Sequence, residues 1–233
     1  NNALRVAVAA GMDPVRAVTI ATLNAAECYR LCGKGAIAPS FDADIAVFDD
    51  LKEFCCALVL KGGKTVAERG AALFDTGKKF LPDAVRNTVH LATVAPSQFC
   101  MHLKGERALA MRLTEGSVVT EKRVCTVASR GGDVALAGTD LLKLAVIERH
   151  RGTGNIGLGL LEGYGMHGGA LALTVAHDSH NLIVLGDNNE DMAAAANELV
   201  RIGGGLALAK GGSVQSLPLD IAGLMSSLPA EEY

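Results

Sequence analysis

"ALALTVAHDSHNLIVLG", residues 170–186, decides how the second half of the chain is read. Five consecutive polar residues, His177, Asp178, Ser179, His180 and Asn181, interrupt an otherwise apolar run. The stretch reads as one long strand, with a break at the polar cluster as the alternative. On an unbroken strand His177 and Ser179 project to one face, Asp178 and His180 to the other. The two histidines then cannot share a metal, whereas Asp178 sits beside His180 and its carboxylate can orient an imidazole. Five polar groups are costly to bury without partners. A functional role is therefore weighed against hydrogen-bonded core or interface side chains.

Upstream lies "VIERHRGTGN", 146–155. Glu148, Arg149, His150 and Arg151 could clamp an anion or a substrate; the residues alone favour a solvated strand end. "GTGNIG" (152–157) matches G-x-G-x-x-G, but Gly157, Gly159, Gly163 and Gly165 follow it and no helix runs cheaply through them. A dinucleotide site is therefore not expected. Gly152, Gly154 and Asn155 instead suggest a loop whose backbone can approach a ligand, a domain or a strand closely.

The chain has 233 residues, enough for one large domain or two small ones with a real core. Apolar residues reach 49%, which argues against disorder, and a net charge of −3 without a basic patch argues against nucleic acid. The longest apolar runs are too short to span a bilayer. The opening "NNALRVAVAAG" shows no secretory signal and reads as the interior of a longer protein. The six cysteines form no C-x-x-C pair, so packed, reduced thiols of a cytoplasmic protein are expected. There is no H-x-H, H-E-x-x-H, G-x-S-x-G or P-loop, and His90, His102 and His167 stand alone.

Residues 1–31 read as helices, with a stop at Gly11, a cap at Asp13 and Pro14 in the first turn. "ADIAVFD" reads as a strand, and "CCALVLKGGKTVAERG" as a hairpin at Gly62-Gly63. The polar stretch 74–89 is the linker candidate. Strands flank Glu115-Gly116, and "LLKLAVIERH" is read as a strand. "NNEDMAAAANELVRIGGG" is the clearest helix, capped by Asn188 with Asp191 reaching back and stopped at Gly203. "GLALAKGGSVQSLPL" is a hairpin at Gly211-Gly212.

Thr22, Asn24, Ala26, Gly35, Ile37, Ala43, Asp44, Ile45, Val47 and Asp49 fit the pattern T-x-N-x-A, then G-x-I-x-x-G-x-x-A-D-I-x-V-x-D. That pattern resembles the exit of the metal-dependent amidohydrolase barrel into its companion β domain; Ser40 stands where the family has glycine. "VIERHRGTGNIGLGLLEGYG", "TVAHDSHNLIVLG", "IGGGLALAKGG" and "LPLDIAGLMS" resemble the C-terminal domain of bacterial and archaeal adenine deaminases. The resemblance implies hydrolysis of adenine to hypoxanthine and ammonia, a purine base as substrate and a divalent metal (Mn, Fe or Zn) in the full-length enzyme. It places the metal ligands on an upstream barrel, so no metal ligand, catalytic acid or catalytic base is assigned here, and no cofactor is expected on these residues.

The expected architecture is α+β. Residues 1–32 are the helical end of the barrel, 33–75 a small β-sandwich segment and 76–88 a linker. Residues 89–233 form a C-terminal α+β domain with a mixed or antiparallel sheet. His177, Asp178, Ser179, His180, Asn181, Glu148, Arg149, His150, Gly152, Gly154 and Asn155 are expected to face the barrel or the purine pocket. A homo-oligomer and contacts from an upstream barrel are expected, with no nucleic acid and no membrane. The alternatives are another cyclic-amide or nucleobase amidohydrolase, or a binding or assembly module without chemistry.

Overall fold

The structure, a computed structural model, describes residues 1–75 and 81–228; the part of the expected linker at 76–80 lies outside the described residues. It divides into two compact units, Asn1–Lys79 and Phe80–Tyr233. Among the described residues no helix is long and apolar enough to cross a membrane.

The first unit begins with α1 (Asn2–Ala9), α2 (Pro14–Thr19), a π-helical turn (Ile20–Asn24) and α3 (Ala25–Cys28). Gly11 ends the first segment with φ +97°, and the Asp13 carboxylate accepts the Arg16 N–H at 2.9 Å, with Pro14 in the first turn. Val6, Val15, Ile20, Tyr29 and Leu31 are exposed, so these helices present the open apolar face their sequence implies. Gly35 passes so close that a β-carbon there would lie 2.8 Å from the Thr22 carbonyl oxygen and 2.9 Å from the Ala26 β-carbon. That contact explains glycine at 35 and a small side chain at 26. Ser40 adopts φ +67°, the region in which glycine is the unstrained choice.

The strands β1 (Ile45–Phe48), β2 (Cys56–Lys61), β3 (Lys64–Glu68) and β4 (Ala71–Ala72) form one antiparallel sheet in chain order. Among the described residues, 33–75, the expected β-sandwich segment, contribute this one antiparallel layer. The Asp44 carboxylate accepts from Lys34, from Lys61 and from the Gly62 N–H, and the first of these bonds leads in holding it well below the usual carboxylate range. It thereby fastens the β2–β3 turn.

The second unit contains β5 (Arg107–Leu113), β6 (Thr120–Thr126), β7 (Ala128–Arg130), β8 (Asp133–Ala135), β9 (Leu141–Ile147), β10 (Ile156–Glu162), β11 (Ala170–Leu173), β12 (Leu182–Gly186), α4 (Asn189–Ile202), β13 (Gly205–Lys210) and β14 (Ser213–Pro218). Eight of these strands make one sheet in the order β14-β13-β11-β12-β9-β10-β5-β6. Every pairing is antiparallel except β10 with β5, so the sheet is mixed. β7 and β8 form a separate hairpin.

Side-chain size alternates along the strands. Ala145 on β9, Ala170 and Ala172 on β11 and Ala207 and Ala209 on β13 are buried in one cluster with Met192, Ala193, Ala195, Ala196 and Leu199 of α4. Small residues on both surfaces let the helix lie close to the sheet. Gly186 shows how close: a β-carbon there would fall 2.5 Å from Met192. The adjacent leucines on β11 and β13 point to the opposite face by strand parity. α4 starts as expected, with the Asn188 side chain accepting the Asp191 N–H at 2.8 Å, and ends at Gly203 in the left-handed region. The Asp191 carboxylate returns to the Asn188 side-chain amide at 2.9 Å.

Residues 170–186 are not one strand. β11 pairs with β12 antiparallel, Leu173 opposite Ile183 and Ala170 opposite Gly186, so 174–181 is the loop of a hairpin. The five polar groups explain the break. In a sheet covered on one face they would need partners that neighbouring strands do not carry, and in a loop most of them reach solvent.

Candidate functional site

β9 is antiparallel to both β10 and β12, with Ile147 opposite Ile156 on one side and Leu182 on the other. This register brings the β9–β10 loop (148–155) and the β11–β12 loop (174–181) to the same end of the sheet. The two motifs singled out from the sequence are therefore neighbours in space.

Arg149 joins them. Its side chain is among the most buried in the chain, at 1% exposure. Nε donates to the His180 carbonyl at 2.6 Å, Nη1 to the Thr88 carbonyl at 3.2 Å and hydroxyl at 3.0 Å, and Nη2 to the Ala222 carbonyl at 3.1 Å. None of these acceptors is a carboxylate. Burial accordingly pushes the guanidinium below its ordinary pKa. The solvated strand end expected for Arg149 is thus corrected: a planar, five-donor group is the one cationic side chain that can satisfy carbonyls from several segments at once. Four of its five donors are spent on the protein and the side chain is cut off from solvent, which leaves it unable to act as an anion clamp.

Glu148 turns its carboxylate back onto its own loop. Oε1 accepts the N–H groups of His150 and Arg151 at 2.6 and 2.9 Å, and Oε2 accepts the N–H and hydroxyl of Thr153 at 3.1 and 3.0 Å. The Thr153 N–H leads in lowering its pKa to about 2, against the effect of burial and with the Arg151 and His150 N–H groups adding to it. Folding thus lowers this value from an ordinary 4.5, so the contribution is complete above about 4.5 and is lost as the pH falls towards 2. Protection of the His150, Arg151 and Thr153 amides from hydrogen exchange is expected to fall over that window, and Glu148→Gln to abolish this pH dependence. Protection that stays flat in the parent chain between those limits would contradict this role.

The second loop is shaped by backbone. Asp178 (φ +69°) and His180 (φ +47°) are left-handed, and the His180 N–H donates to the Ala176 carbonyl at 2.7 Å. His177 Nδ1 lies 2.9 Å from Asp178 Oδ1, with both side chains almost wholly exposed, at 96% and 90%. The carboxylate therefore pairs with the histidine before it, and not with His180 as strand alternation suggested. His150 Nε2 reaches the Ser179 carbonyl at 2.9 Å, a second tie between the loops. His180 Nδ1 and Asn181 Oδ1 are buried and have no hydrogen-bond partner among the described residues. Gly152 (φ +64°) and Gly154 (φ +73°) shape the first loop, and a strand, not a helix, follows them. A phosphate-binding helix N-terminus is thereby ruled out at "GTGNIG".

Several anchors have no motif of their own. Thr174 is fully buried; its hydroxyl donates to the Gly223 carbonyl at 2.5 Å and accepts the Gly205 N–H at 2.8 Å. Gly204 and Gly223 are packed so tightly that a β-carbon on Gly204 would lie 2.6 Å from the Gly223 α-carbon. A β-carbon on Gly223 would lie 3.1 Å from Arg149 Nη1. Thr88 lies 61 residues from Arg149 and Ala222 lies 73 residues from it, with Gly223 next in the chain, beyond the reach of any local pattern. The only hint is the unusual run Gly203-Gly204-Gly205.

Among the described residues no group of three or more His, Cys, Asp or Glu side chains is placed to hold a metal ion. The arrangement offers exposed polar groups, His150, His177, Asp178 and Ser179, on two loops fixed from beneath.

Residues 117–233 match the family described as "Adenine deaminase C-terminal domain", and residues 1–66 match "Amidohydrolase family". "Adenine deaminase" of Nitratidesulfovibrio vulgaris is 48% identical over 237 residues, covering 100% of this chain and 40% of the relative. "Adenine deaminase 2" of Carboxydothermus hydrogenoformans is 48% identical over 228 residues, 97% of this chain and 40% of the relative. "Adenine deaminase" of Lysinibacillus sphaericus is 39% identical over 235 residues, again 40% of that protein. The chain spans about 40% of the length of these curated relatives. With half of its residues matched, and the Arg149-linked loops inside that half, the chain belongs to the adenine deaminase C-terminal domain family.

Proposed function

We infer that this chain is the C-terminal part of an adenine deaminase, which converts adenine and water to hypoxanthine and ammonia. The observation that carries the reading is the alignment along essentially the whole chain with proteins of that name. In this reading 1–32 closes a preceding barrel, 33–75 is its companion β segment, 76–88 links the two units and 89–233 is the domain that helps to shape the purine pocket. A divalent metal held by the preceding barrel would supply the activation of water. The described residues gather no ligand set for it.

The work left to this chain is positioning. Gly152 and Gly154 allow backbone to come close to a flat base or to a neighbouring wall. His150, His177, Asp178 and Ser179 offer hydrogen-bonding atoms at the loop tips. His180 Nδ1 and Asn181 Oδ1, buried without partners among the described residues, are groups that a neighbouring segment would satisfy. Arg149 holds both loops so that little ordering remains to be done on binding. The described cysteines are all free, which suits a reducing, cytoplasmic setting.

The test is made on the complete protein that carries this chain. Adenine should yield hypoxanthine and ammonia in equal amounts, and hydantoin-like rings should be untouched. Ring opening of a cyclic amide with no action on adenine would replace this reading with that of a different amidohydrolase.

A further inference from the structure

The chain enters the second unit through residues 81–91, and this entry segment runs directly past Arg149. Val89 and Leu91 pack against the core cluster that contains α4. Farther along, the Asn197 side chain accepts the Val94 N–H at 2.8 Å and donates to the Val94 carbonyl at 2.9 Å. The segment is thus fixed on the core while its other contacts go to the site. The His90 N–H donates to the Arg149 carbonyl at 2.8 Å, and the Thr88 carbonyl and hydroxyl both accept Arg149 Nη1. His90 stands alone in the sequence, yet the fold exposes its side chain at the same end of the sheet as those of His150 and His177.

The same segment accounts for glycine at 152. A β-carbon there would lie 3.1 Å from the His90 carbonyl oxygen, and φ is +64°. At that residue the close approach that the glycine-rich stretch permits is to the entry segment. Ala222 closes a circuit. Its N–H donates to the Val85 carbonyl at 2.6 Å, and its carbonyl accepts Arg149 Nη2 at 3.1 Å. Arg149 Nη1 then returns to the Thr88 hydroxyl at 3.0 Å, three residues on from Val85. Ala222 adopts φ +57°, a left-handed conformation that strains an alanine. Such strain persists only where the surroundings hold it, and here they hold both the N–H and the carbonyl of the residue.

We propose that the entry segment is a third wall of the candidate site and that Thr88 is a positioning residue for both loops. Its hydroxyl fixes the Arg149 fork, and the fork fixes the 174–181 loop through Nε on the His180 carbonyl. A guanidinium is planar, so turning Nη1 towards Thr88 also sets the direction of Nε. Without the hydroxyl, Nη1 keeps only the longer contact to the Thr88 carbonyl, at 3.2 Å, and the plane is free to tilt. Loops that are looser in the free protein must be ordered when the base binds, so affinity falls more than the rate of the chemical step. The kinetic consequence rests on the reading of the protein as an adenine deaminase; the mechanical link does not.

The experiment uses the complete protein with Thr88→Val, which keeps the shape and removes the hydroxyl, and Thr88→Ser, which keeps the hydroxyl. Hydrogen–deuterium exchange is followed by mass spectrometry in peptides that cover 174–181. Steady-state kinetics on adenine is run well below the melting temperature of each variant. In Thr88→Val the exchange of 174–181 should accelerate and KM should rise, each by about tenfold, with kcat within about twofold of the parent. Thr88→Ser should stay with the parent in both. Unchanged exchange at 174–181 in folded Thr88→Val, equal changes in the serine variant, or faster exchange with an unaltered KM would overturn the proposal. If Thr88→Val does not fold, Gly152→Ala, which presses on the His90 carbonyl from the other side, is read in its place. A parent protein that leaves adenine untouched would defeat the reading of its function instead, and the exchange comparison would still decide the link between Thr88 and the loops.

Discussion

Replacing Arg149 with methionine is expected to destabilise the C-terminal unit by about 4 kcal/mol, a drop in melting temperature of roughly 10 °C. Methionine fills similar space, so packing changes little. The cost comes from the acceptors left behind: the carbonyls of His180, Thr88 and Ala222 and the Thr88 hydroxyl would lose their donor in a buried setting. Each such loss costs about 1–3 kcal/mol, less where relaxation lets water in. Arg149→Lys keeps the charge but reaches fewer acceptors with a compact ammonium, and should recover only part of the stability. Thermal unfolding of both variants checks this. A methionine variant melting within about 2 °C of the parent would show that the guanidinium does not brace the loops.

The second large effect is expected at Lys143, 2% exposed at the sheet end of α4. Its ammonium donates to Asp133 Oδ2 at 2.5 Å and to Asn189 Oδ1 at 2.6 Å. Asp133 also accepts the N–H groups of Met101 and Val134, each at 2.8 Å, and the Asn189 side-chain amide at 2.8 Å. Burial works to raise the Asp133 pKa, but the Lys143, Met101 and Asn189 bonds outweigh it and hold the value low. Four segments meet at this one carboxylate. Lys143→Met strips the cation and strands the anion, at a cost of about 3 kcal/mol, the low end for a buried pair because Asp133 is partly exposed. Adding Asp133→Asn should restore part of the loss, since a neutral amide oxygen still accepts the backbone donors. Urea unfolding midpoints decide it. A double variant less stable than Lys143→Met would mean that the charge on Asp133 is not the burden.

Much of this fold was legible in the residues. The Gly62-Gly63 and Gly211-Gly212 hairpins, the β9 strand and the α4 helix with its Asn188 and Gly203 ends all follow local rules of turn and cap chemistry. The break in 170–186 stood only as the alternative to one long strand, because the turn contains no glycine or proline and its left-handed residues are an aspartate and a histidine. Those are residue types that tolerate the left-handed region more often than most. Arg149 was misread for a different reason. "ERHR" looks solvated, and its acceptors come from segments 31, 61 and 73 residues away. Burial of a charge is decided by tertiary partners, which no window of neighbouring residues contains. On β11 and β13 the two faces differ in side-chain size, alanine beneath α4 and leucine opposite, a contrast that a simple apolar count hides.

The reading of the two loops as a wall of the purine pocket meets its sharpest test at Asp178. Its side chain is almost wholly exposed, and its contact with the equally exposed His177 is one that contributes little to stability. The measurement is adenine turnover by the complete protein carrying Asp178→Ala, beside its melting temperature. The account predicts that kcat/KM falls by about tenfold or more while the melting temperature stays with the parent. Unaltered turnover at unaltered stability would show that the loops take no part in handling the base.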